Sequence, residues 1–245
     1  VVLLVVAVVV AGVCVRLGFW QLDRLGERRQ RNAAVEAGLA EPPADLDDLL
    51  AGTADPDALA YRRVTSTGSF DLRGELLLYG RALEGRPGDH VLTPLVTSGG
   101  AAVLVDRGWI PYEPGRRAPL GPPAAAPEAS VSVEGVLLPS EEGAAFADDP
   151  TLVRAVNVPE IDARTDGPAL APVYLLLQDQ APAQGSGLPV TAAVPAPSEG
   201  PHLSYAIQWF TFATIAIVGY VVLARRDRRE DRPGDEPSRP TTREA

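Results

Sequence analysis

Trp20, His202, Tyr205 and Trp209 are the residues whose types and spacing could do chemistry in this chain. The last three follow one another at i, i+3 and i+7, which sets them along one face if the stretch is helical. Trp20 would sit at the matching end of a second helix. Two chemistries suit such a set. One is an aromatic belt with an interfacial histidine, as membrane helices carry where apolar chain meets water. The other is a site in which a neutral imidazole ligates heme iron and aromatic rings flank the porphyrin. The rest of the chain offers little competition. It holds two histidines, His90 and His202, and one cysteine, Cys14, which excludes an internal disulfide framework and any cysteine-based zinc or iron–sulfur centre within one chain. No G-x-S-x-G, H-E-x-x-H or lysine-bearing phosphate loop occurs, and a serine hydrolase would have to recruit His90 with Asp89 or Asp106.

The elements that must position the aromatic set are apolar. Residues 1–15 are unbroken by charge, and after Arg16 the run continues to Trp20; about 20 residues at 1.5 Å each give roughly 30 Å, the thickness of a bilayer's hydrocarbon. Residues 203–224 contain no charge either. Two transmembrane helices are therefore expected. A cleavable signal peptide is the competing reading of the first run, although no A-x-A site follows it and Val13 stands where a lipoprotein signal needs a small residue before its cysteine. Because the 245 residues include no Met, the start of translation is expected upstream of Val1. Ala7, Ala11, Cys14 and Gly18 form a stripe of small residues that could face Ala206, Ala213 and Ala216.

Charge sets the expected orientation. Arg225, Arg226, Arg228 and Arg229 follow the second apolar run directly, so the C-terminus is expected in the cytoplasm, and two crossings return the N-terminus there. Five Arg at positions 16, 24, 28, 29 and 31 lie on the opposite side, where a long loop translocates largely regardless of charge. Residues 32–202 hold 10 Arg against 24 acids, a balance that suits solubility and argues against nucleic acid as a partner. All 22 basic residues are Arg, and with 23 Gly and 24 Pro this composition points to a GC-rich bacterium and its cell membrane.

Between the helices the pattern changes. Short β-like runs bounded by Gly and Pro are expected at 62–70, 75–81, 90–96, 101–110, 131–138 and 173–178, with a Pro-rich loop at 111–127 and a short helix at 159–164. The domain plan is a transmembrane helix at 1–20, a helical and acidic connector at 21–60, a β-rich domain at 61–180 and a Pro-rich linker at 181–202. A second transmembrane helix at 203–224 and a disordered tail at 225–245 complete it. The fold class is thus a membrane protein of the α+β type, with two transmembrane helices flanking a mostly antiparallel-β extracytoplasmic sheet or small barrel.

Four blocks carry a resemblance: LGFWQLDR at 17–24, GRPGDHVLTPL at 85–95, VLVDRGWIP at 103–111 and HLSYAIQWFTFA at 202–213. In this order they resemble the Surf1 family (Surfeit locus 1, Shy1 in yeast). The resemblance implies a chaperone-like, non-enzymatic role in assembling cytochrome c oxidase. The implied partners are its catalytic subunit, the heme A synthesis machinery and the lipid bilayer. It further implies transient binding of heme a with His202 as iron ligand and Trp20, Tyr205 and Trp209 nearby. Gln21, Arg24, Gly85, Pro87, Gly88, Arg107, Gly108 and Trp109 are motif residues of partner-binding or structural kind. The chain departs from the family at Glu199-Gly200-Pro201, where Asn is common, and beyond Arg24, where Glu and Arg replace Lys. Two alternatives stay open: a membrane scaffold that binds no heme, and an extracytoplasmic enzyme.

Three expectations concern the motif residues themselves. Gly85, Pro87 and Gly88 should form a turn. Trp109 should be core, and Arg107 should pair with Asp106 or Asp71 or reach a heme propionate. For the orientation, a reporter active only outside the cytoplasm should work when fused near Ala126 and fail at Ala245; the reverse pair of signals would overturn it.

Overall fold

The computed structural model describes residues 2–184 and 187–230, with side chains described as far as Arg226 in the last helix. Its elements are α1 (Val2–Ala40), β1 (Ala44–Asp45), α2 (Leu46–Gly52), α3 (Pro56–Leu59), β2 (Arg63–Phe70), β3 (Leu76–Leu83), β4 (Arg86–Thr97), β5 (Ala102–Pro111), β6 (Val131–Pro139), β7 (Leu152–Val153), α4 (Val158–Asp162), β8 (Leu170–Ala181) and α5 (His202–Glu230). The chain divides into two compact units, Val1–Asn32 with Ser198–Ala245, and Ala33–Pro197.

The first unit is the pair α1 and α5, both long and apolar enough to cross a membrane. Its packing follows from small residues at spacings of three and four. Ala11, Cys14, Gly18 and Leu25 are the buried residues of α1, and Ala206 and Ala213 those of α5. Ala11, Cys14 and Ala213 form one cluster with Trp209 and Ala216 against it. Ala11, Cys14, Gly18 and Leu25 repeat at spacings of three, four and seven, which keeps the stripe on one side of α1. Close approach needs Gly18, where a Cβ would lie 2.7 Å from the Phe210 ring, and Phe19 meets Phe210 edge-on at 5.5 Å. Helix α5 opens one residue before the expected segment and runs on to Glu230. The rest of the expected tail, 231–245, lies outside the described residues.

In the second unit β2, β6, β8, β5 and β4 pair in that order, and β4 pairs back to β2, closing a five-stranded barrel. Every pairing in the ring is antiparallel except β5 with β8. Closure brings β2 against β4 at Gly68, where a Cβ would lie 2.3 Å from the Val96 carbonyl oxygen. The strands read as nearly continuous apolar runs because both faces are covered. Val103, Val105, Val173, Leu175 and Leu177 turn inward with Val64, Leu95 and Val133, and Leu46 and Leu59 from α2 and α3 join that core. Their neighbours Leu104, Tyr174 and Leu176 turn outward to meet Val153, Val156, Val158 and Ile161. The stretch expected as an acidic connector supplies the two capped helices: Asp45 accepts from the amides of Asp47 and Asp48, and Asp55 caps α3 with Pro56 in its first turn.

Two expectations are corrected by this arrangement. In the connection between β3 and β4 only Glu84 and Gly85 take positive φ, 52° and 77°, so the turn ends there and Pro87 and Gly88 belong to β4. Gly88 is needed for packing instead, since a Cβ would lie 2.1 Å from the Trp109 indole nitrogen. Arg107 pairs with neither Asp106 nor Asp71. It is fully buried and donates through Nη1 to Glu75 Oε2 at 3.2 Å, with both side chains at 0% exposure, while Asp71 pairs with Arg73 and Asp106 with His90. Full burial also removes Arg107 as a propionate partner.

Around this ion pair the remaining lone pairs and N–H groups are largely used. Glu75 accepts from the Thr93 hydroxyl at 2.8 Å and the Leu120 amide at 2.7 Å. Arg107 Nη2 donates to the carbonyls of Ala124 and Ala125, and its guanidinium stacks 5.3 Å from the Phe70 ring centroid. Burial holds the Arg107 pKa below its ordinary value, against the opposing effect of the Glu75 charge and hydrogen bond. Removing one partner of such a pair strands the other charge, so Glu75→Ala should cost about 3–5 kcal/mol. Combining Glu75→Leu with Arg107→Met should recover part of the loss, read from thermal unfolding of detergent-solubilised protein by Trp fluorescence. A single-variant loss under about 1 kcal/mol would contradict the anchoring role.

Candidate functional site

His202 is the first residue of α5. Its Nδ1 lies 2.9 Å from Oε1 of Gln21 on α1. An amide oxygen only accepts, so Nδ1 is the donor in this contact, and in the neutral ring Nε2 is then the nitrogen with the lone pair. The segment leading into the helix is clamped to α1 by a second set of contacts. Arg29 forks onto Glu199 at 2.8 and 3.0 Å, holding that carboxyl below the usual range through the hydrogen bond and charge. Arg28 donates to the Ser198 carbonyl at 2.9 Å. Gly200 follows with φ of 66°, and a Cβ there would sit 3.6 Å from His202 Nε2. Its lack of a side chain leaves that edge of the ring clear.

The expected aromatic companions separate. Trp209 is two turns along α5, about 20° from His202 around the axis, and packs on the interhelical cluster. Tyr205 is about 60° off that line and is 48% exposed, as Trp20 is 41% exposed. Trp20 instead stacks with Arg24, whose guanidinium lies 5.8 Å from its ring and pairs with Glu27 at 2.8 Å. Of the expected set only His202 gains a polar partner across the helix pair, Gln21, while Trp209 packs on the interhelical cluster two turns further on. Tyr205 and Trp20 face outward.

The remaining motif residues gather where β4 and β5 pair, His90 opposite Trp109. His90 Nδ1 contacts Asp106 Oδ2 at 2.7 Å, and the other oxygen of Asp106 accepts from the Gly108 amide at 3.0 Å. Among the described residues no serine hydroxyl bonds to His90, so the hydrolase arrangement is not assembled there. Gly108 takes φ of 121°, with Val190 passing so close that a Cβ would lie 2.2 Å from its carbonyl oxygen. Trp109 exchanges backbone hydrogen bonds with Val190 at 2.7 and 2.8 Å, donates from its indole to the Arg81 carbonyl at 3.3 Å, and carries Arg86 over its ring at 5.5 Å. Next to it Asp89 is buried, and desolvation holds its carboxyl above the usual range. These residues join the barrel wall to the Pro-rich segment that follows β8.

The SURF1 family model matches residues 8–214, which takes in all four blocks. The chain belongs to the SURF1 family. A SURF1-like protein of Mycobacterium bovis is 34% identical over 91% of this chain and 83% of its own length. SURF1-like proteins of Rickettsia felis and Monosiga brevicollis are 29% and 28% identical over 87% and 86% of this chain, covering 92% and 83% of their own. Family membership makes this chain an assembly factor for cytochrome c oxidase, in a family of assembly factors. Within the family's blocks, the structure divides LGFWQLDR and HLSYAIQWFTFA, which build the His202 site, from GRPGDHVLTPL and VLVDRGWIP, which hold the barrel together.

Several residues that matter to these two clusters are not marked by any motif. Glu75 has only one signal, a lone acid opening an apolar strand. Glu199 and Gly200 stand out in the sequence only as a departure from the family, and Arg28 and Arg29 only as charges. The available clue is complementarity, an arginine pair after one apolar helix and Ser198-Glu199 before the other.

Proposed function

We propose that this protein carries heme a as cargo during oxidase assembly, with His202 Nε2 as the iron ligand. The observation that carries the reading is the His202–Gln21 contact, because a ring held through Nδ1–H presents Nε2 as a donor of fixed direction. The helix position supports it as well. A neutral imidazole ligates iron without placing a charge at the end of an apolar helix. Gly200 keeps the approach to Nε2 free of side-chain bulk. Trp209 lies below on the same stripe, while Tyr205 and Trp20 serve as interfacial anchors of the two helices, a role their exposure favours. Ligation by one protein histidine suits release of the cargo to the oxidase catalytic subunit. In this reading both termini are cytoplasmic, the barrel lies outside the cytoplasm, and heme comes from the heme A synthesis machinery.

Loss of the protein should lower assembled heme a-containing oxidase while leaving b-type cytochromes intact; an unchanged oxidase spectrum in a deletion strain would sink the assembly role in this cell. For the ligand, purified His202→Ala should lose heme, and Gln21→Leu should weaken its binding about 10–100-fold, as outer partners of a ligating histidine do. His90→Ala, in the barrel wall, should keep wild-type heme content. If His202→Ala retains the wild-type content and absorption spectrum, the ligand assignment fails.

A further inference from the structure

We propose that Arg16 is the contact point for a membrane helix of a partner protein, one that carries Asp or Glu within its apolar stretch. Arg16 interrupts the apolar run of α1 between Val15 and Leu17. It lies between Cys14, packed in the cluster with Ala213, and Gly18, packed against Phe210. Its level is therefore well inside the part of α5 that has no charge of its own. Two residues from Cys14 and two from Gly18 amount to about 200° of rotation each way, which puts Arg16 on the face of α1 opposite α5. The side chain is exposed and, among the described residues, has no hydrogen bond or ion pair.

A charged side chain facing lipid at that depth is unfavourable, and such residues mark sites where a counter-charge is supplied. The described residues supply none, so a second helix must. One turn away on the same face is Gly12, where a Cβ would meet nothing within 4 Å. That notch lets another backbone come close, as small residues do in membrane helix pairs, and a close backbone puts a carboxylate within reach of the guanidinium. A lipid phosphate is the competing occupant. Each Cα–Cβ bond of a helix tilts toward its N-terminus, here away from the end marked by Gln21 and His202 and deeper into the apolar stretch. Arg16 thus starts away from the headgroups next to that end, which favours a protein carboxylate.

The inference rests on the membrane reading of α1 and α5 but not on heme. It is tested on the full chain in native membranes, with benzoylphenylalanine in place of Val13, which is 54% exposed beside Gly12. A control probe in place of Ile215, 60% exposed on α5, reports lipid. The Val13 probe should crosslink to a membrane helix whose sequenced peptide holds Asp or Glu in its apolar stretch. Arg16→Leu should cut that yield about tenfold, the worth of one charge-assisted contact. Gly12→Leu should cut it too, and Arg16→Lys should retain most of it. Crosslinks to lipid alone, a partner helix without an acid, or a yield indifferent to Arg16→Leu would each overturn the proposal. A partner that is neither an oxidase subunit nor part of the heme A synthesis machinery would leave this surface standing and count against the assembly reading, and an Ile215 probe that never meets lipid would overturn the membrane reading and this inference together.

Discussion

The buried Glu75–Arg107 pair is the constraint on which the barrel unit depends. Two charges without solvent contact are tolerated only where other groups satisfy their remaining hydrogen-bonding capacity. These groups come from several separate segments. Glu75 precedes β3, Thr93 is on β4, Arg107 is on β5, and Leu120, Ala124 and Ala125 come from the Pro-rich loop. A loop with that many prolines has few backbone donors to form structure of its own. Its ordering therefore draws on the ion pair together with the packing of Ala118, Leu120 and Ala124 on Leu77, Val91 and Ile110, which sets a polar centre within an otherwise apolar wall.

The same logic explains the VLVDRGWIP block residue by residue. Alternation sends Val103 and Val105 into the barrel and Leu104 outward. Asp106 ties β5 to His90, Arg107 reaches Glu75, and Gly108 lets the segment after β8 cross at Val190. Trp109 then pairs with that segment and fills the space that Gly88 leaves. Four successive residues thus fasten β5 to His90, to Glu75 and to the segment at Val190. The block is a structural fastening, which is why its tryptophan and arginine are inside.

Much of this is legible in the residues. Apolar length announces both long helices, and Gly and Pro punctuation marks the six longer strands to within a few residues. The small-residue stripe predicts which faces of α1 and α5 meet. What cannot be read has identifiable causes. Pairing of β5 with β8 in parallel, and closure of β4 onto β2, are non-local and leave no local pattern. Pro87 and Gly88 look like turn formers because composition is all a linear reading has; the indole that requires Gly88 belongs to the next strand and comes near only after pairing. Asp106 is the obvious neighbour for Arg107 in a linear reading, yet the acid it takes is 32 residues away and nothing in its own surroundings singles it out from Asp71. At the candidate site, period alone puts His202, Tyr205 and Trp209 on one face; a helix of 3.6 residues per turn separates i+3 from i+7 enough to turn Tyr205 outward.

The helix pair shows how a single histidine can be specified by a chain that has almost none. Gln21 reaches it from α1 at a position that continues the stripe of Cys14 and Gly18, seven residues beyond Cys14 and three beyond Gly18. The seam that packs the two helices thus also sets the depth and rotation at which glutamine meets imidazole. Arg28 and Arg29 fix the chain on the other side of His202 through Ser198 and Glu199. With a hydrogen bond from one side and a clamped backbone on the other, the ring has little freedom left, and Nε2 is the nitrogen that these contacts leave unused. In this chain, then, small residues along an apolar seam set the geometry of the one polar contact at its end.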